Sequence, residues 1–402
     1  MAHDLPSFCM EVSAMYRAVI EIENFRLGQA LVDTLSEHAV AVRRVCDMSN
    51  DEKRHNTDFL ILSRAHADVL GGHPGVVELA RKMGARAVLV VNEAARDFCI
   101  TPELGGKIVH IGFGDDVCPR YALLFIATLV HGSGRAMVRN PKVMALFAMA
   151  ARIAKSDVSV FIHGPTGSGK EIMARYIHSQ SKRAAGEFVA INCAAIPENM
   201  LEAMLFGHEK GAFTGASKAN VGLIRAAEGG TLLLDEISEM SLPLQAKLLR
   251  AIQELAVTPL GGNRQIEVNV RILATSNRDM PTECHAGRFR EDLFYRLNVF
   301  PVATMPLSAR RDDILPIAQE LLVRHVKNVA EIPLLAPCAV TLLEAHSWPG
   351  NVRELENVMQ RALVLKTGAI ITADAIMIDQ IVSASPIVQA ATPSAWPGVQ
   401  RL

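Results

Sequence analysis

The sequence has no C-x-x-C pair, and its seven cysteines (Cys9, Cys46, Cys99, Cys118, Cys193, Cys284 and Cys338) are scattered and odd in number. That excludes a disulfide framework or a zinc ribbon and reads as reduced thiols of a cytosolic protein. Long apolar runs are missing too. The longest, Tyr121 to Val130, is about half of what a membrane span requires. No basic region followed by an apolar signal core opens the chain, so the expected location is the cytoplasm, with no membrane partner. Charge of one sign is also lacking. A net charge of −1 excludes a surface built for bulk binding to phosphate backbones, though a local basic patch stays open. What is present is a 402-residue chain, 50% apolar and 21% charged. That is the composition of a soluble globular protein with two or three domains.

Residues 16 to about 130 alternate short apolar strands with amphipathic helices. The strands are expected at Arg17–Ile22, Ala41–Val45, Asp58–Leu62, Ala87–Val91 and Lys107–Ile111, with helices such as Leu27–Ser36 and Gly75–Met83 between them. This alternation implies a small doubly wound parallel sheet. His131-Gly132-Ser133-Gly134-Arg135 reads as the linker to a larger α/β unit, whose strands include Val158–Ile162, Phe188–Ile191, Thr231–Leu234 and Val270–Ala274. From residue 306 apolar positions recur at helical spacing in Ile314–Val326, Cys338–Ala345 and Val352–Leu365. The Pro-, Ser- and Ala-rich tail after Ser383 does not have the composition of a core. The expected division is 1–132, 133–305, 306–382 and a tail 383–402.

The chemistry starts at Gly164-Pro165-Thr166-Gly167-Ser168-Gly169-Lys170, directly after the apolar run Val158-Ser159-Val160-Phe161-Ile162. A strand that breaks into glycines and enters a helix gathers backbone N–H groups at one point, and Lys170 adds a charge for the outer phosphates. The next residue is usually Ser or Thr, whose hydroxyl binds Mg²⁺; here it is Glu171, so the metal is held another way. A second apolar strand, Thr231-Leu232-Leu233-Leu234, ends in Asp235-Glu236. Asp235 would orient the Mg²⁺ shell, and Glu236 would act as general base on the attacking water. Together these motifs point to an ATPase.

Between them lies Gly211-Ala212-Phe213-Thr214-Gly215-Ala216. Glycines flanking an aromatic build a tip that exposes Phe213 toward a partner, unless a hairpin tucks the ring into the core. The hexapeptide resembles, without a mismatch, the signature loop of the bacterial enhancer-binding proteins. Those are AAA+ ATPases that activate RNA polymerase carrying the sigma-54 factor. The resemblance runs from about Pro141 to Leu365. It implies an α/β fold: a receiver-like doubly wound N-terminal domain, a AAA+ P-loop domain and a helical lid. It further implies that Asn192 couples the catalytic Glu to the signature loop, and that Thr275 and Asn277 form the first sensor. Arg290 and Arg296, in Phe289-Arg290-Glu291-Asp292-Leu293-Phe294-Tyr295-Arg296-Leu297, become arginine fingers for a neighbouring subunit, and Arg353 in Trp348-Pro349-Gly350-Asn351-Val352-Arg353 the second sensor. Singly, each arginine also reads as a solvated surface ion pair. ATP and Mg²⁺ are the implied cofactors, with sigma-54 and further copies of the chain, in a hexameric ring, as the implied partners.

The chain departs from the family pattern in four places. Pro165 stands where an acidic residue is usual, and Met137-Val138-Arg139-Asn140-Pro141 lacks the glycine expected near the adenine pocket. The front domain resembles a response-regulator receiver whose chemistry is lost: Ser63 stands at the phosphoacceptor position, and Glu21-Ile22-Glu23-Asn24 breaks the adjacent acidic pair. After Leu365 no helix-turn-helix can be written. The alternative function is therefore a regulatory subunit that co-assembles with and modulates a DNA-binding activator relative, with flagellar gene control as a candidate setting.

Overall fold

The structure, a computed structural model, describes residues 17–37, 40–47, 57–114, 117–131, 138–213 and 217–378. Most of the expected linker, the last three residues of the Phe213 hexapeptide and the tail lie outside the described residues.

The front unit holds β1 (Arg17–Ile20), α1 (Gly28–Glu37), β2 (Ala41–Arg44), β3 (Phe59–Ser63), α2 (Arg64–Val69), α3 (His73–Met83), β4 (Ala87–Asn92), β5 (Cys99–Glu103), β6 (Ile108–Gly112) and α4 (Pro119–His131). Its sheet has the order β2-β1-β3-β4-β6-β5. All neighbours run parallel except β5, which lies antiparallel on β6 at the edge. The five anticipated strands are all present. The sixth, β5, escaped pattern reading because it contains Pro102, which a sheet tolerates only at such an edge. β3 is buried along its whole length, as expected of a parallel strand covered by helices on both faces. The apolar run Tyr121–Val130 becomes α4.

The second unit opens with α5 (Pro141–Ala154), capped by the Asn140 side chain with Pro141 in the first turn. There follow β7 (Val160–His163), α6 (Lys170–Ser179), β8 (Phe188–Asn192), α7 (Glu198–Phe206), α8 (Leu223–Ala226), β9 (Thr231–Asp235), α9 (Leu242–Glu254), a short ribbon of β10 (Ala256–Val257) and β11 (Ile266–Glu267), β12 (Arg271–Ser276), α10 (Met280–His285), α11 (Glu291–Leu297) and β13 (Phe300–Ala303). The five-stranded sheet is wholly parallel, in the order β13-β7-β12-β9-β8. Its three central strands, β7, β12 and β9, end side by side, so whatever follows each of them is delivered to one edge. At the opposite edge, the buried Arg271 guanidinium donates to the carbonyls of Ile153, Ala154 and Val158. A cation there closes the C-terminus of α5 and ties it to the sheet.

The lid contains α12 (Ile314–His325), β14 (Leu334–Leu335), α13 (Pro337–Ala345), α14 (Asn351–Leu365) and β15 (Ile370–Ile371). Trp348, almost fully buried, anchors it through an indole N–H to the Leu343 carbonyl. The front unit does not stand apart from the lid. α4 packs against α1 on one side and against α12 and β14 on the other, and its buried residues share one apolar cluster with those of the lid. Arg120–Glu344 at 3.9 Å and Arg139–Glu37 at 3.5 Å border this region. Both pairs are exposed and contribute little beside the apolar burial. Among the described residues no helix is long and apolar enough to cross a membrane.

Candidate functional site at the phosphate loop

Gly164, Gly167 and Gly169 all take positive φ (152°, 73° and 99°), which lets the chain wrap a small space before α6 begins at Lys170. Lys170 is buried. Its Nζ donates to the Gly164 carbonyl at 3.0 Å and lies 3.5 Å from Glu236 Oε1. Ser168 Oγ donates to the Pro165 carbonyl and lies 2.7 Å from the Thr304 hydroxyl, at the end of β13. The loop is therefore fastened to its own sheet through a residue that the sequence alone did not single out.

Asp235 and Glu236 close β9 beside it. Thr275 Oγ1 donates to one Asp235 oxygen at 2.5 Å, and Asn192 Nδ2 donates to the other at 3.3 Å. Glu236 sits in the left-handed region at φ 51°, ψ 49°, uncommon for a residue with a side chain. Its N–H donates to Thr275 Oγ1, and its carboxylate accepts the Asn277 N–H at 3.3 Å. Asn277 also donates through Nδ2 to Thr166 Oγ1 at 3.0 Å. Thr275 and Asn277 thus tie both acids to the phosphate loop. Asn192 contacts Asp235, not Glu236, so any coupling it provides starts at the first acid. Glu171 is not brought to this cluster: its carboxylate pairs with Arg175 on the exposed face of α6.

The lid reaches the loop at α14. The Val352 N–H donates to the Gly167 carbonyl at 2.9 Å, and Asn351 Nδ2 to the Thr166 carbonyl at 2.9 Å. Arg353 lies against Gly167, where a methyl group would meet the Gly350 carbonyl at 2.5 Å and Arg353 Cβ at 3.1 Å. Behind the loop, an apolar cavity is lined by Val138, Val143, Phe147, Ile172, Ile317 and Leu321. Arg310 and Asp313 brace it from the lid. Arg310 donates to the Ser168 carbonyl at 2.7 Å, and the fully buried Asp313 accepts the N–H groups of Arg139 and Asn140. Burial pushes the Asp313 carboxyl up and the Arg310 guanidinium down. Two buried charges 3.9 Å apart are the signal in Arg310-Arg311-Asp312-Asp313 that a reading for catalytic groups passes over.

Arg290 and Arg296 stand elsewhere. Arg290 makes a two-point contact with Asp292 on the surface, and Arg296, also exposed, reaches the Ile252 carbonyl at 3.5 Å. Among the described residues neither touches the phosphate loop of its own chain. Phe213 is 45% exposed and stacks edge-on against His208, with centroids 4.9 Å apart. The base of its loop is pinned where His208 bridges Asn220 and Glu209 N–H donates to Leu260. Thr214, Gly215 and Ala216 lie outside the described residues.

The chemical content of the site is a buried lysine, two acids and a glycine-bent loop at a helix N-terminus, with an apolar slot beside them. A family model described as Sigma-54 interaction domain matches residues 136–303, and one described as AAA+ ATPase lid domain matches 308–388. The response regulator protein FleR of Pseudomonas aeruginosa is 49% identical over 288 residues, 71% of this chain and 59% of that protein. The transcriptional regulatory protein FlbD of Caulobacter vibrioides is 51% identical over 234 residues, 58% of this chain and 51% of that protein. The chain thus spans little more than half the length of these relatives. Among solved structures, NtrX from Brucella abortus matches with a TM-score of 0.56 at 26% identity, covering 89% of this chain and 85% of that one. NtrX in complex with ADP matches likewise, with a TM-score of 0.56 at 25% identity and cover of 90% and 86%. Residues 136–303 are thus a sigma-54 interaction domain, and residues 308–388 the AAA+ ATPase lid that follows it.

Proposed function

We propose that the chain is a cytoplasmic ATPase that remodels the closed complex of the sigma-54 RNA polymerase, working as a ring of its own copies. The observation that carries this reading is that Thr275 and Asn277 link Asp235, Glu236 and Thr166 around Lys170, while α14 of the lid holds Gly167. ATP is the substrate. Its phosphates lie against Gly164, Thr166, Gly167, Ser168, Gly169 and Lys170, and its base in the slot lined by Val138 and Ile317. The donor set of Asp235 is hard oxygen and fits Mg²⁺, which when bound supplies charge neutralisation at the phosphates. Glu236 orients the attacking water and takes its proton. Lys170 balances charge on the outer phosphates.

Arg290 and Arg296 serve the nucleotide of a neighbouring copy, which accounts for their surface position. Arg353 reads the phosphates from the lid. The segment Gly211–Ala216 delivers the result to sigma-54 through Phe213 and Thr214. The division of the chain at residues 132, 305 and 382 follows these roles, with the front unit, receiver-like in topology, as the regulatory part. ADP in the related NtrX supports the nucleotide assignment.

The test separates hydrolysis from output. Glu236→Gln is expected to lower ATP turnover by at least about a hundredfold with nucleotide binding kept. Phe213→Ala is expected to keep turnover and lose open-complex formation by the sigma-54 polymerase. A wild-type chain that hydrolyses ATP but never supports open complexes overturns the proposal.

A further inference from the structure

Two residues that serve different nucleotides are joined inside one copy of the chain. Glu236 serves the chain's own ATP. It opens a tight turn over Ile237–Glu239, in which the Glu239 N–H donates back to the Glu236 carbonyl. Arg290 serves the ATP of a neighbouring copy. It caps the N-terminus of α11, whose last turn carries Arg296. Between the turn and the cap lies Gln245 of α9, fully buried. Its Nε2 donates to the Met240 carbonyl at 2.8 Å and to the Arg288 carbonyl at 3.2 Å, and its Oε1 accepts the Arg290 N–H at 2.8 Å. A buried amide is costly unless its donors and its acceptor are used. Here all three partners are backbone groups of the two irregular segments that the helix separates.

A second bridge runs beside the first. Arg278, just past β12, pairs with Glu239 at 2.7 Å and lies 3.4 Å from Glu283, which Arg288 holds at 2.7 Å. The Arg278 N–H donates to Ser276 Oγ, and Ser276 Oγ donates to Ser238 Oγ within the turn. Both bridges start in the turn after Glu236, and both end on the stretch Arg288–Arg290.

We propose that Gln245 is a positioning residue that aims the arginines offered to the neighbouring copy. Through the Met240 carbonyl it is tied to the turn after Glu236, and through the Arg290 N–H it fixes where α11 begins. The Arg278 bridge holds the same two segments at fixed separation from the outside. The inference rests on the reading of Arg290 and Arg296 as groups that act on a neighbouring copy.

The test mixes two full-length variants. Glu236→Gln copies keep their arginines and lose their own hydrolysis; Arg290→Ala copies do the reverse. Their mixture is expected to recover turnover at the sites of the Arg290→Ala copies. Gln245→Met, which keeps the length of the side chain and removes its polar atoms, is then added to the Glu236→Gln copy only. The recovered kcat is expected to fall at least about tenfold, with KM for ATP unchanged, because that copy does not hold the nucleotide being cleaved. The loss is expected to persist when the substituted copies are raised to saturation. Arg278→Ala in the same copy, at an exposed side chain where folding is not at stake, is expected to lower kcat in the same direction. Recovered turnover that neither substitution changes overturns the role of Gln245 and leaves the reading of Arg290 standing. A loss that saturation abolishes is one of assembly and overturns it too. No recovery in the parent mixture refutes the action of Arg290 on a neighbour, and the inference falls with it.

Discussion

At Glu283 two guanidiniums settle the fate of one carboxylate. The Arg288 side chain, with help from Arg278, holds its acid down to about 2, below its usual 4.5. A group with a depressed folded-state value stabilises the native state above its unfolded value and loses that contribution as pH falls through the folded one. Thermal unfolding of the wild type and Glu283→Gln should therefore differ most above pH 4.5 and converge as pH drops toward 2. Cys193, next to Asn192, is pushed up to about 12 by burial and by Asp235 and Glu236. It stays a thiol, and brief native alkylation read by mass spectrometry should label the exposed Cys46, Cys99, Cys118 and Cys338 while sparing Cys193. The acids and glycines of the phosphate loop could be picked out in the sequence because spacing along the chain is itself the signal. Thr304, Arg310 and Asp313 could not, since their partners Ser168, Arg139 and Asn140 lie more than a hundred residues away. Glu171 drew attention by standing at a metal-binding position, yet α6 periodicity already pairs it with Arg175 four residues on.

Among elements, the strands with continuous apolar runs were readable and the edge strand β5 was not, because an edge obeys weaker rules than a centre. The join between α5 and β12 likewise depends on Arg271, an arginine that sequence pattern alone places on a surface. Arg271→Ala takes a buried donor from the carbonyls of Ala154 and Val158, while that of Ile153 keeps Ser156, and the expected loss is at least about 2 kcal/mol, measured by denaturant unfolding. Gly167 joins two elements, the phosphate loop and α14. Ala there carries a left-handed penalty of roughly 1–2 kcal/mol and drives a methyl group into the Gly350 carbonyl. Gly167→Ala should lower the melting temperature and weaken ADP binding together, whereas Gly169→Ala, where a methyl group meets no protein atom, should lower the melting temperature less.

Across the whole molecule, the phosphate loop is bound to α14, α14 packs with α12, and α12 shares its apolar cluster with α4 of the front unit. Nothing periodic in the sequence announced that last contact. Tyr121–Val130 is apolar on several faces because it is covered from two sides, by α1 and by the lid. Hydrogen exchange should show it: saturating ADP is expected to slow the amides of α4 as well as those of α14, and slowing confined to α14 would break the chain of contacts. This continuity also makes occupancy at the two ends of the molecule a reciprocal matter. If whatever binds the front unit alters the affinity for nucleotide by some factor, nucleotide must alter that binding by the same factor. The signal the front unit answers to and the cell's energy charge would then be weighed against each other inside one polypeptide, each setting the threshold at which the other is felt.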